Sequence, residues 1–375
     1  MRAVEEAERR AISGTAAATL VVTSGAGSMD LYAQRLAAHL DVPTITTDVH
    51  EHLSRAFGAP LFSRRSLRCV RADVRFVRAL RAIDGPVHLP NHHLARYARA
   101  ARGPYVVTVH DLIRYFDWRG NLPLIHRPGP HERLGLRLDY RGIRRADHVI
   151  AVSQTTKRDL VRHLGVPEER ITVVYEGVDH ELFRPVVTRP LDEPYVLFVG
   201  SEQPRKNLPR LLRAFAAVKR DRRLADLKLV KVGRASGGER GFRRRTLAAV
   251  RELALERDVV FTGLVPDEDL PAWYSAAECL ALPSFYEGFG FPPLEAMACG
   301  CPVVVSSAGA LPEIAGDAAL VVDPHDPAAL ADALRQVLLD PELRRELARR
   351  GRQRAAHFSW QRAAEQTIAV YERLY

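Results

Sequence analysis

Nowhere does this chain hold an apolar run near the roughly 20 residues that a membrane-spanning helix needs, so no spanning segment is expected. Cysteine is scarce, four in 375 residues. Cys69 and Cys279 stand alone, and Cys299-Gly-Cys301 lacks the second ligand pair of a zinc site. That excludes a disulfide framework and a zinc module, and all four are expected as reduced thiols in or near the core. No other cluster has metal-ligand spacing. Zinc-finger spacing, an RNP motif and basic-helix heptads are missing too, so no nucleic-acid partner is expected. The first ten residues carry Glu5, Glu6 and Glu8 and lack the apolar core of a signal peptide, which makes the cytoplasm the expected location.

What is present fits a soluble globular protein, with 47% apolar and 27% charged residues. A chain of this length buries a large core and most often forms two domains. The net charge of +10 is uneven: residues 1–184 hold 28 Lys+Arg against 20 Asp+Glu, and the remainder holds 27 against 25. The first half is therefore expected to face an anionic partner.

The most informative stretch is Pro283-Ser-Phe-Tyr-Glu-Gly-Phe-Gly-Phe-Pro-Pro-Leu-Glu-Ala-Met-Ala-Cys-Gly-Cys-Pro302. It follows Cys279 to Leu282, a short apolar run that reads as a buried strand. Gly288 and Gly290 allow a tight turn and close approach of backbone N–H groups to a ligand. Pro292 and Pro293 suit a helix start, and Gly300 suits its end. A strand, a Gly-rich turn and a helix N-terminus make an anion site. Yet Glu287 and Glu295, with seven residues between them, flank it. Carboxylates beside a phosphate site must accept hydrogen bonds from neutral hydroxyls, or they would repel the phosphate. Ribose and a hexose supply such hydroxyls, so the stretch asks for a sugar joined to a nucleoside diphosphate.

From Glu287 to Val303 the sequence resembles the E-x7-E signature of retaining, nucleotide-sugar-dependent glycosyltransferases of the two-domain GT-B type, in family 4. The resemblance implies that Glu287 binds sugar hydroxyls and Glu295 the ribose, with Gly288, Phe289, Gly290 and Phe291 also at the donor. Gly200-Ser-Glu-Gln-Pro-Arg-Lys-Asn207 carries two adjacent cations after a strand and a glycine turn, a pattern that suits a diphosphate. There Arg205 and Lys206 match the family's diphosphate-binding pair. His110, past the strand Tyr105 to Val109, resembles the family's cleft histidine against the donor sugar, near its reacting carbon. A purely structural strand-end cap is the competing reading for it. Tyr175-Glu-Gly-Val-Asp179 resembles the close of the first domain, although the family often carries asparagine where Glu176 stands. The likeness is close in the C-terminal half, covers roughly Tyr105 to Asp179 in the N-terminal half, and is only an outline over residues 24–104.

Elsewhere the chain alternates strands and helices, the pattern of a doubly wound parallel sheet. Ala17 to Thr23 reads as the first strand, followed by Ser24-Gly-Ala-Gly-Ser28 and a helix over Met29 to Leu40. This loop lacks the third glycine of a dinucleotide fingerprint. In the resembled family it faces the cleft near the donor sugar and acceptor, with Gly27 at the donor; a plain tight turn is the other reading. Arg64 to Arg81 reads as a helix with Leu67, Val70, Val74 and Val77 as its apolar stripe. Arg64, Arg68, Arg71, Arg75 and Arg78 repeat beside it, with Asp73 the nearest acid in the segment. Either this face is solvated or it meets an anionic membrane surface. Arg114 to Glu132, punctuated by Pro and Gly, reads as a long loop and a candidate acceptor lid. Ser153 caps a helix to Leu164, and Pro185 to Pro194 is a linker.

The expected architecture is α/β: two Rossmann-like doubly wound parallel-sheet domains facing a cleft. Residues 1–184 would bind the acceptor and 190–358 the nucleotide sugar, with the helix 359–375 crossing back to the first domain. The implied reaction moves a hexose from a nucleoside diphosphate to an acceptor hydroxyl with retention, without metal or cofactor. Mannose with guanosine is the first choice, because Gly200–Asn207 looks like the segment of bacterial mannosyltransferases. A sugar or lipid-linked acceptor in glycolipid or cell-surface polysaccharide assembly fits the basic N-terminal half, as does attachment to the inner face of the plasma membrane. No carboxylate pair stands out for a double displacement; the resemblance implies a front-face route in which the leaving diphosphate helps deprotonate the acceptor. The rivals are a phosphorylase or epimerase on the same scaffold, a non-catalytic sugar-nucleotide sensor, and a membrane-surface module.

Overall fold

The computed structural model describes residues 18–25, 27–49, 64–120, 124–235 and 239–374. They form two compact units. Residues 18–118, 127–177 and 360–374 make the first, and 119–126 with 178–359 make the second. The expected boundary near 184 thus lies inside the second unit, because Val178 bridges Ser359 and donates its N–H to the Phe358 carbonyl at 3.2 Å.

The first unit carries β1 (Thr19–Thr23), α1 (Ser28–His39), β2 (Thr44–Thr47), α2 (Arg64–Arg81) and β3 (Val87–Leu89). A 3-10 helix (His92–Ala100), β4 (Tyr105–Val109), α3 (Ile113–Arg119), α4 (Pro130–Arg145), β5 (His148–Ala151), α5 (Gln154–Asp159) and β6 (Ile171–Val173) follow. Its six strands are parallel in the order β2-β1-β3-β4-β5-β6. The inner strands bury both faces, which is why they read as unbroken Val/Ile/Leu runs. Strand β2 escaped the sequence reading: it is a short, mostly exposed edge of Thr and Ile with little apolar signal.

Two expectations change in this unit. Among the described side chains of α2, which leave out Leu67, the buried ones are Cys69, Ala72, Phe76 and Leu80, while Val70 is 57% and Val74 43% exposed. Two apolar stripes interleave at helical spacing, and the one bearing the large Phe76 and Leu80 turns inward. The acid against Arg75 is Asp48, at 3.5 Å, whereas Asp73 accepts from the Tyr97 hydroxyl at 2.8 Å. Residues 114–132 are not one long loop. Asp111 accepts the Ile113 N–H at 2.9 Å to start α3, and Glu132 reaches back to the Gly129 N–H at 2.8 Å to start α4 at Pro130.

The last helix, α13 (Trp360–Glu372), belongs to the first unit, held there by a buried polar chain. His88 Nδ1 lies 2.7 Å from the Tyr371 hydroxyl and Nε2 2.7 Å from Thr108 Oγ1. Burial pushes the His88 imidazole down to about 3, so it bridges the two hydroxyls in its neutral form. Tyr371→Phe strands one ring nitrogen of His88 in the core, and a loss of about 1–3 kcal/mol in a denaturant melt is expected. Unchanged stability would show that the chain is not what holds α13.

The second unit carries β7 (Tyr195–Val199), α6 (Leu208–Val218), β8 (Lys228–Val232), α7 (Glu239–Glu252), β9 (Val259–Gly263), α8 (Leu270–Ala276) and β10 (Cys279–Leu282). It continues with α9 (Phe291–Ala298), β11 (Val303–Ser306), α10 (Leu311–Ala315), β12 (Ala319–Val322), α11 (Pro327–Leu339) and α12 (Pro341–Ala355). All six strands are parallel, in the order β12-β11-β10-β7-β8-β9. The winding reverses between β7 and β10, whose carboxyl ends therefore flank the crevice where open α/β sheets bind ligands. All four cysteines are free and buried.

Candidate active site

Because β7 and β10 are neighbours, with Cys279 opposite Val196, the loops leaving them emerge side by side. Residues 82 apart in sequence meet there. The Glu287 carboxylate lies 2.6 Å from Arg205 Nη1, and its other oxygen is 2.7 Å from Lys206 Nζ and 2.7 Å from Ser284 Oγ. Burial alone would raise the Glu287 carboxyl. The Arg205 and Lys206 charges, with hydrogen bonds from Lys206 and Ser284, outweigh it and hold the group at about 2. Lys206 is itself buried, and desolvation draws its ammonium below the ordinary lysine range while Glu287 works against that pull. The three groups form one ionised cluster at the carboxyl ends of the two strands.

Local geometry fixes each member. Asn207 adopts the left-handed region at φ 58°, and its amide donates to the carbonyls of Pro283 and Pro324 at 2.9 and 2.8 Å. This single side chain pins the end of the Arg205-Lys206 segment to the exit of β10. The Arg205 N–H donates to the Leu124 carbonyl at 2.9 Å, which ties the segment to Leu124. Gly309, at φ 62°, packs so closely that a Cβ there would lie 2.6 Å from the Glu287 backbone. Sequence reasoning missed Ser284, Asn207 and Gly309. An asparagine directly before a helix with Pro in its first turn was the available signal.

Gly290 caps α9 at φ 127°, a conformation that only glycine adopts readily, and Pro292 and Pro293 occupy the first turn as their missing donors allow. Phe289 is buried against Phe291 and Phe358, with ring centroids 5.5 and 6.0 Å away. It supports the turn from the core. Gly288 is buried beside it. Glu295 points elsewhere than Glu287: one of its oxygens accepts from the buried Tyr274 hydroxyl at 2.6 Å.

In the first unit, His110 is buried with both ring nitrogens engaged. Nδ1 lies 2.7 Å from Glu176 Oε1, and Nε2 lies 2.8 Å from the Pro90 carbonyl. An N–H at each ring nitrogen, the imidazolium form, satisfies both acceptors. Burial pulls its pKa down, but the Glu176 hydrogen bond and charge and the Pro90 carbonyl raise it above the ordinary value. The substitution of Glu176 for asparagine thus has a visible partner. Gly27 caps α1 and donates its N–H to Asp30 at 3.1 Å. At the carboxyl ends of β1 and β2 a cavity of about 400 Å³ opens beside Ser24, Thr46, Thr47, Asp48, Arg75 and Phe76. Arg71, Arg75 and Arg78 are exposed on α2, whereas the side chains of Arg64 and Arg68 lie outside the described residues. Among the described residues no group of three His, Cys, Asp or Glu is placed to hold a metal, and no helix is long and apolar enough to cross a membrane.

Comparison with known proteins meets this geometry. Residues 19–182 match the family described as Glycosyltransferase Family 4, and residues 179–354 match Glycosyl transferases group 1. An O-antigen chain mannosyltransferase B of Escherichia coli is 33% identical over 297 residues, 76% of this chain and 74% of that protein. A D-inositol 3-phosphate glycosyltransferase of Salinispora tropica is 31% identical over 406 residues, 93% of this chain and 81% of that protein. The structure of a sucrose-phosphate synthase from Thermosynechococcus elongatus matches with a TM-score of 0.75 at 25% identity, covering 95% of this chain and 99% of that one. With its two parallel six-stranded sheets on the GT-B fold, the chain belongs to glycosyltransferase family 4.

Proposed function

We propose that this glycosyltransferase is a retaining hexosyltransferase that takes a nucleoside diphosphate hexose as donor and an acceptor hydroxyl as the second substrate. The observation that carries the reading is the Arg205–Lys206–Glu287 cluster at the ends of β7 and β10. Two cations held together by one buried carboxylate form a preset charge site. A diphosphate takes over the cations, and the hexose hydroxyls take over Glu287. Catalysis is then positioning plus stabilisation of the leaving diphosphate, which helps to deprotonate the acceptor on the same face. Glu295 is assigned to the ribose, and the backbone around Gly288 and Gly290, at the start of α9, to the phosphates. His110, a positive group held by Glu176, is assigned to the donor sugar. No metal is required where two cations carry the charge, so the rate is expected to persist in EDTA.

Mannose from a guanosine donor is the first choice, supported by the Gly200–Asn207 segment and by the mannosyltransferase among the relatives. The acceptor side is assigned to the first unit, with glycolipid or surface polysaccharide assembly at the cytoplasmic face of the membrane as the setting. A thermal-shift panel of nucleoside diphosphates and their sugars tests the reading. A ligand at 100 times its Kd stabilises by ~2.7 kcal/mol, a readily visible shift. A panel without any shift would contradict it.

Attachment to an anionic membrane through α2 is a second part of the proposal. Its support is the exposed row Arg71, Arg75 and Arg78 beside the exposed Val70 and Val74. Among the described residues this row has one ion pair, Arg75 with Asp48, which is 70% and 45% exposed and therefore weak. Reversing Arg71, Arg75 and Arg78 to Glu is expected to abolish sedimentation with anionic vesicles while sparing turnover of a short soluble acceptor. Wild-type sedimentation should fall with added salt, since such attraction is screened within ~8 Å at physiological ionic strength. Equal binding to neutral vesicles would refute the attachment.

A further inference from the structure

A second arginine row lies on α4, and the 3-10 helix His92–Ala100 ties it to α2. Tyr97 of that helix donates its hydroxyl to Asp73 of α2 at 2.8 Å and meets Phe76 edge-on, with ring centroids 5.3 Å apart. Arg96, one residue earlier, donates from Nε and Nη2 to Asp139 of α4 at 2.7 and 2.6 Å. The three helices therefore form one layer. These contacts also take the acids inward. Asp73 is the one acid in α2, and α4 has two, Glu132 and Asp139. Asp139 is buried against Arg96 and His93, while Glu132 turns to the Gly129 N–H and to Arg114, 3.0 Å away. None of the three is an exposed residue.

What α4 leaves outside is arginine and leucine. Leu134 and Leu138 are 57% and 45% exposed, and Arg137, Arg141, Arg144 and Arg145 are exposed beside them. At 3.6 residues per turn these six side chains fall within about a third of the helix circumference. Among the described residues no carboxylate pairs with any of the four arginines. Arg145, Arg99 and Arg144 instead crowd Arg141 and draw its guanidinium below the ordinary range. Like charges this close repel, so an anion from outside stabilises the face.

The pattern repeats that of α2, where Val70 and Val74 stand exposed among Arg71, Arg75 and Arg78. Aliphatic side chains set among arginines suit a helix lying in the headgroup region of an anionic bilayer. The methyl groups enter the acyl boundary and the guanidinium groups meet phosphates. A single acidic peptide would match one helix. The same pattern on two helices, with Arg99 exposed on the 3-10 helix that joins them, suits a surface that is anionic across its whole extent.

We propose that α4 is a membrane-contacting helix, which together with α2 lays the helical layer of the first unit on a bilayer rich in anionic lipid. The proposal rests on the attachment read from α2 and adds an orientation to it. One helix leaves the unit free to roll about the helix axis; a second contact fixes it.

Vesicles of three parts phosphatidylcholine to one part phosphatidylglycerol test it, with pure phosphatidylcholine as the control. Reversing Arg137, Arg141 and Arg145 to Glu is expected to lower the partition coefficient by about 10²-fold, the summed effect of three arginines at an anionic surface. Leu134→Ser with Leu138→Ser is expected to lower it about 10-fold. Both variants should keep the wild-type Tm and the wild-type Kd for a nucleoside diphosphate, since the altered side chains are exposed. The native cysteines are buried, so an environment-sensitive dye can be placed at Leu138→Cys. Its emission is expected to shift to the blue on the anionic vesicles and to stay unchanged on the neutral ones. Vesicle binding within twofold of wild type in both α4 variants, with the α2 reversal abolishing it, would overturn the proposal and leave the α2 attachment standing. The reverse result would uphold α4 as the contact and sink the α2 attachment. Wild-type protein that ignores the anionic vesicles overturns both, and its binding to poly-glutamate in that case would mark an acidic protein as the partner.

Discussion

Lys206→Ala is expected to lower kcat by about 10²–10³, with a smaller change in KM for the sugar nucleotide. Charge grows on the diphosphate as the glycosidic bond breaks, so a contact to it strengthens in the transition state and acts on kcat. Lys206 is placed for that. It is buried, its charge meets Glu287 at 2.7 Å, and it sits in a segment pinned by Asn207. A long exposed lysine would lose much of this advantage to solvent and rotamer freedom. The variant keeps Glu287 paired with Arg205 at 2.6 Å and with Ser284 at 2.7 Å, so the fold should survive, and circular dichroism verifies that. Arg205→Lys is expected to fail as well, because Arg205 also donates from Nε to Gln203 at 3.1 Å, a fork that a point charge cannot reproduce. A raised KM with kcat intact would show that the cations serve only uniform binding.

The largest stability effect is expected from Glu202→Leu. Glu202 and Lys231 have fully buried side chains whose charges meet at 3.4 Å, and Arg243 approaches the same Glu202 oxygen at 2.7 Å. Among the described residues neither carboxylate oxygen receives a well-aligned hydrogen bond, so the triad holds by charge. Lys231 also donates to the carbonyls of Gly233 and Arg234, which ties down the exit of β8. Removing Glu202 takes the facing carboxylate away from a buried ammonium, and breaking such a pair from one side costs about 3–5 kcal/mol. For a unit of this size that lowers Tm by roughly 6–20 °C. Replacing both charges, as Glu202→Leu with Lys231→Met, should recover most of the loss, since an apolar pair of similar volume has no desolvation to offset. A single variant that melts like wild type would show that water already reaches the triad.

Legibility in the sequence followed how local the causes were. The unit from β10 through the turn to α9 was readable because Gly290, Pro292, Pro293 and Gly300 punctuate it within a few residues, and the structure starts the helix at Phe291. The inner strands were readable because burial on both faces leaves unbroken apolar runs. The meeting of Glu287 with Arg205 and Lys206 was not, since strand order alone brings residues 82 apart together. Nor was the pairing of His110 with Glu176, which depends on loops that leave strands separated by β5. On α2 the sequence offered two apolar stripes of equal period. Only packing against the sheet selects the one with Phe76 and Leu80 and leaves Val70 and Val74 outside. The buried charge of Lys231 was invisible for a related reason: its partner Glu202, and the Arg243 that shares that carboxylate, come from two other elements.

The most direct measurement follows the hexose itself. Wild-type protein is incubated with α-linked nucleotide sugars, GDP-mannose and UDP-glucose among them, in water without added acceptor. Proton NMR records the anomer released by slow hydrolysis before mutarotation, while phosphorus NMR follows the nucleoside diphosphate. The α-hexose appearing first, in step with the diphosphate and lost in Lys206→Ala, is the predicted result. The β-anomer appearing first, or no cleavage of any donor, would contradict a retaining hexosyltransferase built on Arg205, Lys206 and Glu287.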